Sequence, residues 1–259
     1  MSNTTTEVQS LVTTRPDFEV TRVAITAPLQ WLRRGIDDFR RIPGLSLLYG
    51  LLFAGLCAGV DLMIRGAPWY TLGYLTGLLV VGPFLAAGLY IASRDFAQGA
   101  SPGIGSSLRA LGQRRTHLAL FSVMLALVMA AWVRFSALLF ALKFSTLSPS
   151  VDAYRYLLTS TDGWIALAYF VGIGFVLATV IFIISAVAIP LIIDKDVDFI
   201  SAIQTSYRAV MRNPAPMALW AALIVALTAL GVLTLFIGLA IVFPILGYAT
   251  WHSYRALVK

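Results

Sequence analysis

Residues Asp198–Lys259 read DFISAIQTSYRAVMRNPAPMALWAALIVALTALGVLTLFIGLAIVFPILGYATWHSYRALVK and form an amphipathic run, a proline and an apolar hairpin, in that order. Before Pro214, apolar side chains follow the i, i+4, i+7 spacing of one helix face: Ile203, Tyr207 and Val210. After Pro214, residues 216–252 contain no Asp, Glu, Lys or Arg, and they hold two predicted membrane spans joined near 231–234. The sequence therefore predicts a unit made of an amphipathic helix and a hairpin.

The same unit occurs twice more in the chain. Counted from Pro43 and Arg115 instead of Pro214, the same offsets carry apolar residues: Leu32, Ile36 and Phe39, then Ile104, Leu108 and Leu111. A small residue lies eight positions before each of the three reference residues: Gly35, Ser107 and Ser206. A proline lies inside an apolar segment of each unit, where we predict a helix kink: Pro83, Pro190 and Pro244. These matches favour a triplication with units of about 28–95, 100–195 and 198–259.

Composition identifies the class of protein. The chain is 59% hydrophobic and 12% charged, whereas soluble domains carry about 25% charged residues. The one cysteine, Cys57, lies in an apolar run and excludes a disulfide framework. We therefore predict an all-α, polytopic membrane protein with six transmembrane helices as three amphipathic-helix plus hairpin repeats. A mobile cytoplasmic tail (1–20) precedes a single membrane domain (21–259).

The predicted elements follow from these patterns. Two amphipathic helices, 28–42 and 199–213, and a second cytoplasmic segment, 95–115, precede the hairpins. The first four spans are predicted at 43–64, 69–93, 116–139 and 164–193, and the last two lie within 216–252. The longest outer connection is 140–163.

The distribution of Lys and Arg predicts the orientation. With six spans, 15 of the 19 basic residues lie on the side that holds both termini. Because basic residues favour the cytoplasmic side, we expect both termini in the cytoplasm and a multi-pass protein of the bacterial inner membrane. All three amphipathic segments then lie on the cytoplasmic face. The net charge of +7 is explained by this topology, so no nucleic-acid partner is predicted.

Two groups of charged residues are candidate binding or structural sites. Arginines of the amphipathic segments are candidate contacts for anionic lipids: Arg33, Arg34, Arg40, Arg41, Arg114, Arg115, Arg208 and Arg212. Asp61 and Arg134 lie late in spans one and three, so an ion pair near the outer leaflet is geometrically feasible. Snorkelling of each side chain to the outer headgroups is the preferred alternative.

No motif predicts catalysis, a metal or a cofactor. His117 and His252 lie near cytoplasmic ends of spans, but their different depths and the lack of a surrounding motif favour interfacial histidines over a bis-His haem site. The segment 194–198 (DKDVD) lacks the glycine and later glutamate of a calcium loop. An enzyme is therefore the least favoured class.

Two stretches carry a family resemblance: WLRRGIDDFRRIPGLSLLYGLLFAG at 31–55 and GPFLAAGLYIASR at 82–94. They resemble domain-of-unknown-function family 2189, uncharacterised bacterial predicted integral membrane proteins, over nearly the whole chain after the tail. The resemblance implies no catalytic residues. Some members are described as putative cytochrome c oxidase proteins. Because this chain lacks the histidine pattern that haem–copper catalysis needs, the description implies at most an accessory to such a complex.

The leading functional prediction is a non-catalytic accessory or assembly partner of a larger membrane complex, with a respiratory oxidase as the candidate complex. It rests on spans without polar residues, on the length of the connection 140–163 and on small residues in span one: Gly50, Ala54, Gly55, Ala58 and Gly59. The alternative is a transporter or lipid-handling protein, which the kinked spans and the basic cytoplasmic face favour.

Overall fold

The computed structural model describes residues 18–66, 85–143 and 159–259. In this part of the chain the structure is helical, which confirms the predicted all-α class, apart from turns and one antiparallel bridge between Val20 and Val258. The helices are α1 (Ala27–Arg41), α2 (Pro43–Gly66), α3 (the helical residues 85–97), α4 (Ile104–Lys143), α5 (Thr161–Ser185), α6 (Ala188–Lys195), α7 (Phe199–Arg212), α8 (Pro214–Leu233) and α9 (Leu239–Leu257).

The amphipathic helices α1 and α7 both end two residues before a proline. Ile42, before Pro43, has φ −126° and ψ 54°, and Asn213, before Pro214, has φ −132° and ψ 53°. A proline disfavours the helical conformation in the residue before it and donates no backbone hydrogen bond. The chain therefore turns at each proline, and α1 is bent by 107° from the first part of α2.

The prediction of a separate second amphipathic segment was wrong. Helix α4 runs without interruption for 40 residues from Ile104 to Lys143, through the expected boundary at Arg115. Arg115 has a backbone N–H, unlike Pro43 and Pro214, so the hydrogen-bond ladder of the helix continues through it. The amphipathic segment and span three are therefore one element.

Three helices of the described part are long and apolar enough to cross a membrane: Ile104–Phe135, Val171–Lys195 and Pro214–Leu233. The bent pair of α1 with Pro43–Gly59 makes a fourth candidate. The count of six stays a prediction, because residues 67–84 of predicted span two lie outside the described residues and α9 is not among the candidates. The turn before α9 falls at 234–238, just after the predicted position.

The core lies where α9 packs against α1 and α2. Helix α6 is buried along 188–193, and α1 and α8 meet through Trp31 and Trp220, whose rings contact edge to face at 5.9 Å. Helix α9 also supplies buried aromatic side chains to the core: Tyr248, Trp251 and Tyr254. The protein interior is therefore concentrated at the end of the bundle that carries the amphipathic helices.

The face that the amphipathic helices bury overlaps the predicted one only in part. On α1 the buried residues include Trp31, Gly35 and Asp38, whereas Leu32, Ile36 and Phe39 are half-buried beside them. On α7 the buried residues include Ala202, Ser206 and Ala209 together with Val210 of the predicted stripe, whereas Tyr207 is 53% exposed. On α4, Ser107 is buried and Leu108 is 62% exposed. In all three segments the small residue that precedes a predicted stripe residue is therefore buried: Gly35, Ser107 and Ser206.

Close backbone approach explains why Gly35 is buried. A Cβ atom on Gly35 would lie 2.6 Å from the carbonyl oxygen of Ile245 and 2.9 Å from the amide nitrogen of Ala249. Small residues permit such helix contacts. Large apolar side chains beside them need not be buried by protein, because a bilayer also solvates them.

Pro190 lies in the first turn of α6, close to an interruption in the predicted span four. Helix α5 ends at Ser185 and α6 begins at Ala188, so the break includes Ala186, whose carbonyl would pair with the N–H that proline lacks. Pro244 lies inside α9 and is buried. Pro83 lies outside the described residues.

Candidate functional site

A buried carboxylate joins three helices at the centre of the core. Asp38 of α1 is only 7% exposed. Its Oδ2 accepts a hydrogen bond of 2.5 Å from Ser93 Oγ of α3 and lies 2.9 Å from His252 Nε2 of α9. Burial of a carboxylate is costly unless hydrogen bonds or an opposite charge compensate it. The junction therefore holds α1, α3 and α9 in one register.

The geometry of this junction differs from that of a nucleophilic triad. In a Ser–His–Asp triad the histidine lies between the serine and the carboxylate and takes the serine proton. Here Ser93 and His252 both contact Asp38, so the carboxylate is the central acceptor. This arrangement orients side chains and offers no activated nucleophile.

The sequence analysis missed Asp38 as a site residue. The signal was present: Trp31, Gly35 and Asp38 follow the i, i+4, i+7 spacing, so Asp38 shares a face with a tryptophan and a glycine. A charged residue on a face that packs closely against another helix requires a buried partner. His252 was predicted to be interfacial, and the structure places it 19% exposed against Asp38.

A second polar cluster surrounds the turn after α6. Tyr254 Oη donates a hydrogen bond of 2.6 Å to Asp194 Oδ2, and Arg255 Nη1 lies 3.5 Å from the same oxygen. Burial, and next the hydrogen bond to Asp194, raise the pKa of Tyr254. Asp196, in the left-handed conformation, pairs with Arg114 of α4. In the described residues, no group of His, Cys, Asp or Glu side chains could hold a metal ion.

The arginines predicted to contact lipid differ in their exposure. Most of them are exposed: Arg33, Arg34, Arg40, Arg41, Arg115, Arg208 and Arg212. Arg114 is partly buried and paired with Asp196. The guanidinium of Arg41 lies over the ring of Phe96 at 5.7 Å. The structure brings Arg208 and Arg212 together in one groove.

This groove, of about 570 Å³, lies between the segment 18–20 and α7. It is lined by Phe18, Glu19, Val20, Tyr207, Arg208, Met211 and Arg212. The segment is fixed in place, because Thr21 donates its N–H to Leu257 O at 2.8 Å. Asn213 adds a clamp by accepting from the Val23 N–H and donating to Thr21 O. Both walls of the groove are thus anchored to the core.

A smaller cavity of about 230 Å³ lies between α2, α3, α8 and α9. Its lining is mainly apolar and includes Phe53, Ile224 and Phe243. Of its hydroxyl groups, Thr250 Oγ1 already donates to Leu246 O at 2.7 Å. Such a lining suits a hydrocarbon rather than a polar solute.

The remaining candidates are separated from these sites. Arg134 is exposed on α4 and Asp61 is half-buried near the end of α2, and their ion pair stays a prediction. The small residues of span one are divided: Gly50 packs against the backbone of Ala240, whereas Gly55 faces open space. His117 is half-buried on α4, and its buried Nδ1 atom has no hydrogen-bond partner among the residues that the structure describes.

Comparison with known proteins yields one match. No curated protein and no solved structure matches the chain. Residues 71–194 match the model of a family described as "Predicted integral membrane protein (DUF2189)". The matched region includes the stretch at 82–94 but not the one at 31–55, and so it is shorter than the resemblance predicted. Over residues 71–194, therefore, the chain is similar to a family described as predicted integral membrane proteins.

Proposed function

We propose that this integral membrane protein is a non-catalytic accessory or assembly partner of a larger membrane complex. The observation that carries the proposal is the small share of its spans that the chain itself covers. The most apolar windows of the three candidate spans are 28%, 44% and 22% buried within the structure. Their remaining apolar surface is available to lipid and to the helices of a partner.

Exposed glycines favour a helical partner over lipid alone. Gly55 of α2 and Gly172 of α5 are exposed and have no neighbouring atoms where a side chain would extend. Exposed glycines of this kind let another transmembrane helix approach closely. Gly50 and Ala54 contribute less to this argument, because they pack within the chain against α9. The partner class is thus an apolar transmembrane helix, and a respiratory oxidase subunit is one candidate.

Site-directed photo-crosslinking would test this proposal. A photoreactive residue in place of Phe175, which is 72% exposed on α5 near Gly172, should yield one discrete adduct with another membrane protein at native expression. The same residue in place of Ile25, which is 60% exposed before α1, is the matched control. If Phe175 and other exposed positions of α5 gave only lipid adducts, the accessory proposal would be rejected.

Lipid handling is the second candidate. The exposed arginines of α1 and α7 and the apolar cavity between α2, α3, α8 and α9 favour it. Basic side chains attract anionic headgroups, and an apolar cavity accommodates an acyl chain. The mainly apolar lining of this cavity does not favour transport of a polar solute. Dependence of the melting temperature on added anionic lipid would separate this candidate from the accessory proposal.

The proposed architecture is a pseudo-threefold arrangement of the repeats, with six spans in total. Gly35 of the first unit packs on Ala249 of the third, and Ser107 of the second donates to Gly88 O of the first at 3.4 Å. Ser206 of the third donates to Ile183 O of the second at 2.7 Å. Each small residue thus contacts the second helix of the preceding unit in cyclic order, and this pattern supports the triplication.

A further inference from the structure

We propose that the groove between the segment 18–20 and α7 binds the phosphate of an anionic phospholipid. The inference deepens the lipid-handling candidate and rests on the membrane placement of the protein. It identifies one site among the many exposed arginines. Its occupant is a phospholipid with a net negative headgroup, such as phosphatidylglycerol.

The position of the groove along the chain places it at headgroup depth. Helix α7 ends at Arg212, and after Asn213 the candidate span begins at Pro214. A basic residue two positions before a span lies at the level of the lipid phosphates. The groove therefore opens where a headgroup is already present at high local concentration.

The charge of the groove complements a phosphate. Arg208 and Arg212 are one helical turn apart on α7 and both are exposed. Among the described residues of the lining, Glu19 is the one acidic side chain beside the two arginines, so this part of the lining carries a net positive charge. Guanidinium groups bind phosphate oxygens in a planar, two-pronged geometry. Two arginines at this spacing can therefore hold one phosphate.

Apolar side chains beside the arginines complement the rest of a lipid. Tyr207 and Met211 are also one turn apart, and they are 53% and 45% exposed. Phe18 extends the apolar lining from the opposite wall. A helix that combines a basic stripe with an exposed apolar stripe is typical of the membrane interface. An acidic soluble peptide would leave this apolar stripe uncovered, so a lipid is the better fit.

The wall opposite α7 is preorganised for binding. The Asn213 amide bonds Thr21 O at 3.0 Å and accepts from Val23 N at 2.9 Å. Val20 is buried and forms the bridge to Val258. A groove whose walls are already fixed loses little conformational entropy when a ligand binds.

Lipid titration of the purified full chain in mild detergent tests the inference. Phosphatidylglycerol binding would be measured by native mass spectrometry, with phosphatidylcholine as the neutral reference. The double variant Arg208→Gln, Arg212→Gln should bind phosphatidylglycerol about thirtyfold more weakly, since each basic residue near an anionic surface contributes roughly fivefold. The matched control is Arg109→Gln, Lys195→Gln, which removes the same charge from exposed positions of α4 and α6 and should change binding by less than about threefold.

The results of this titration distinguish lipid binding at the groove from lipid handling by the protein in general. Equal losses of phosphatidylglycerol affinity in both double variants would reject the groove as the binding site. Lipid would then bind to the basic face as a whole. Absence of any preference for phosphatidylglycerol in the unmodified protein would overturn both. Displacement of the lipid by glycerol phosphate at equal concentration would show a site for a free phosphate and reject the lipid. An unchanged melting temperature of each variant without lipid would verify that the fold is intact.

Discussion

Asp38 shows how one residue can connect distant parts of a membrane protein. Its partners Ser93 and His252 lie on helices that the chain reaches much later. A carboxylate in a buried position is stable only while its hydrogen-bond donors remain, and loss of the acceptor leaves those donors unsatisfied. The side chain therefore contributes to the relative placement of three helices as well as to stability.

Replacement of Asp38 by Ala should destabilise the protein by about 3 kcal/mol, because Ser93 and His252 then lose their acceptor. The measurement is the melting temperature in mild detergent at neutral pH. Asp37→Ala, at the adjacent, less buried position of α1, is the control and should change stability by less than about 0.5 kcal/mol. Equal effects of the two variants would contradict the junction.

Tyr254→Phe should destabilise the protein by about 1.5–3 kcal/mol at neutral pH, since it removes a hydrogen bond to the carboxylate of Asp194. The pKa of Tyr254 in the folded chain lies above its ordinary value. The stability that this group contributes is therefore present below about pH 10 and is lost as pH rises toward the folded pKa. Melting temperatures at pH 8 and at pH 11 should show a smaller difference between variant and parent at pH 11.

At the scale of elements, the small residues decide how helices pack. Gly35, Ser107 and Ser206 each lie eight positions before a reference residue of the predicted repeats, and all three are buried. Their neighbours Leu108 and Tyr207 are large and exposed. In a soluble protein the large residues would face the core, but in a bilayer close packing of backbones provides the contact between helices.

Gly35→Ala should lower stability by about 1–3 kcal/mol, because the new methyl group would overlap the backbone of α9 at Ile245. Gly44→Ala is the matched control: this glycine lies in the first turn of α2 and faces open space. Since alanine favours a helix over glycine by about 1 kcal/mol, the control should be neutral or stabilising. Melting temperatures of both variants in detergent would provide the comparison.

Proline and small residues made part of the fold predictable from the sequence. Pro43 and Pro214 identified the ends of α1 and α7, because proline restricts the residue before it. Arg115 was a false boundary, since nothing in its backbone chemistry interrupts α4. The buried small residues were not predictable from side-chain size, because they permit close contact between helix backbones, as Gly35 does with α9.

The candidate sites were less predictable than the elements. The exposed arginines were identified by their charge and position, but the groove depends on contacts between 18–23 and the other end of the chain. The junction at Asp38 likewise joins residues more than fifty positions apart. A pattern within one segment carries no information about which distant segment covers it.

At the scale of the whole molecule, the polar clusters and the amphipathic helices occupy the same end of the bundle. Near the C-terminal end of α9, His252 contacts Asp38 and Tyr254 contacts Asp194. The segment that forms one wall of the α7 groove is bonded to Leu257 at the same end. The predicted topology assigns this end to the cytoplasm through the excess of Lys and Arg. The orientation therefore determines which leaflet supplies the lipid for the groove.

Reporter fusions would test this orientation. A reporter that is active only in the periplasm should give no signal when fused after Lys259, and a strong signal when inserted near residue 150, within the predicted outer connection. A cytoplasm-active reporter at the same two positions is the control and should give the reverse pattern. The opposite result in both series would invert the topology and move the arginine groove to the outer leaflet.

The bridge between Val20 and Val258 also bears on biosynthesis. Helix α1 is synthesised early, yet its main packing partner, α9, and the segment that pairs with residues 19–21 are synthesised much later. Until α9 is synthesised, α1 lacks its packing partner. Its exposed arginines and apolar side chains favour temporary adsorption to the membrane surface. Packing of α9 on α1 then completes this part of the core, and a chain interrupted before α9 would present an unpaired α1 to quality-control proteases.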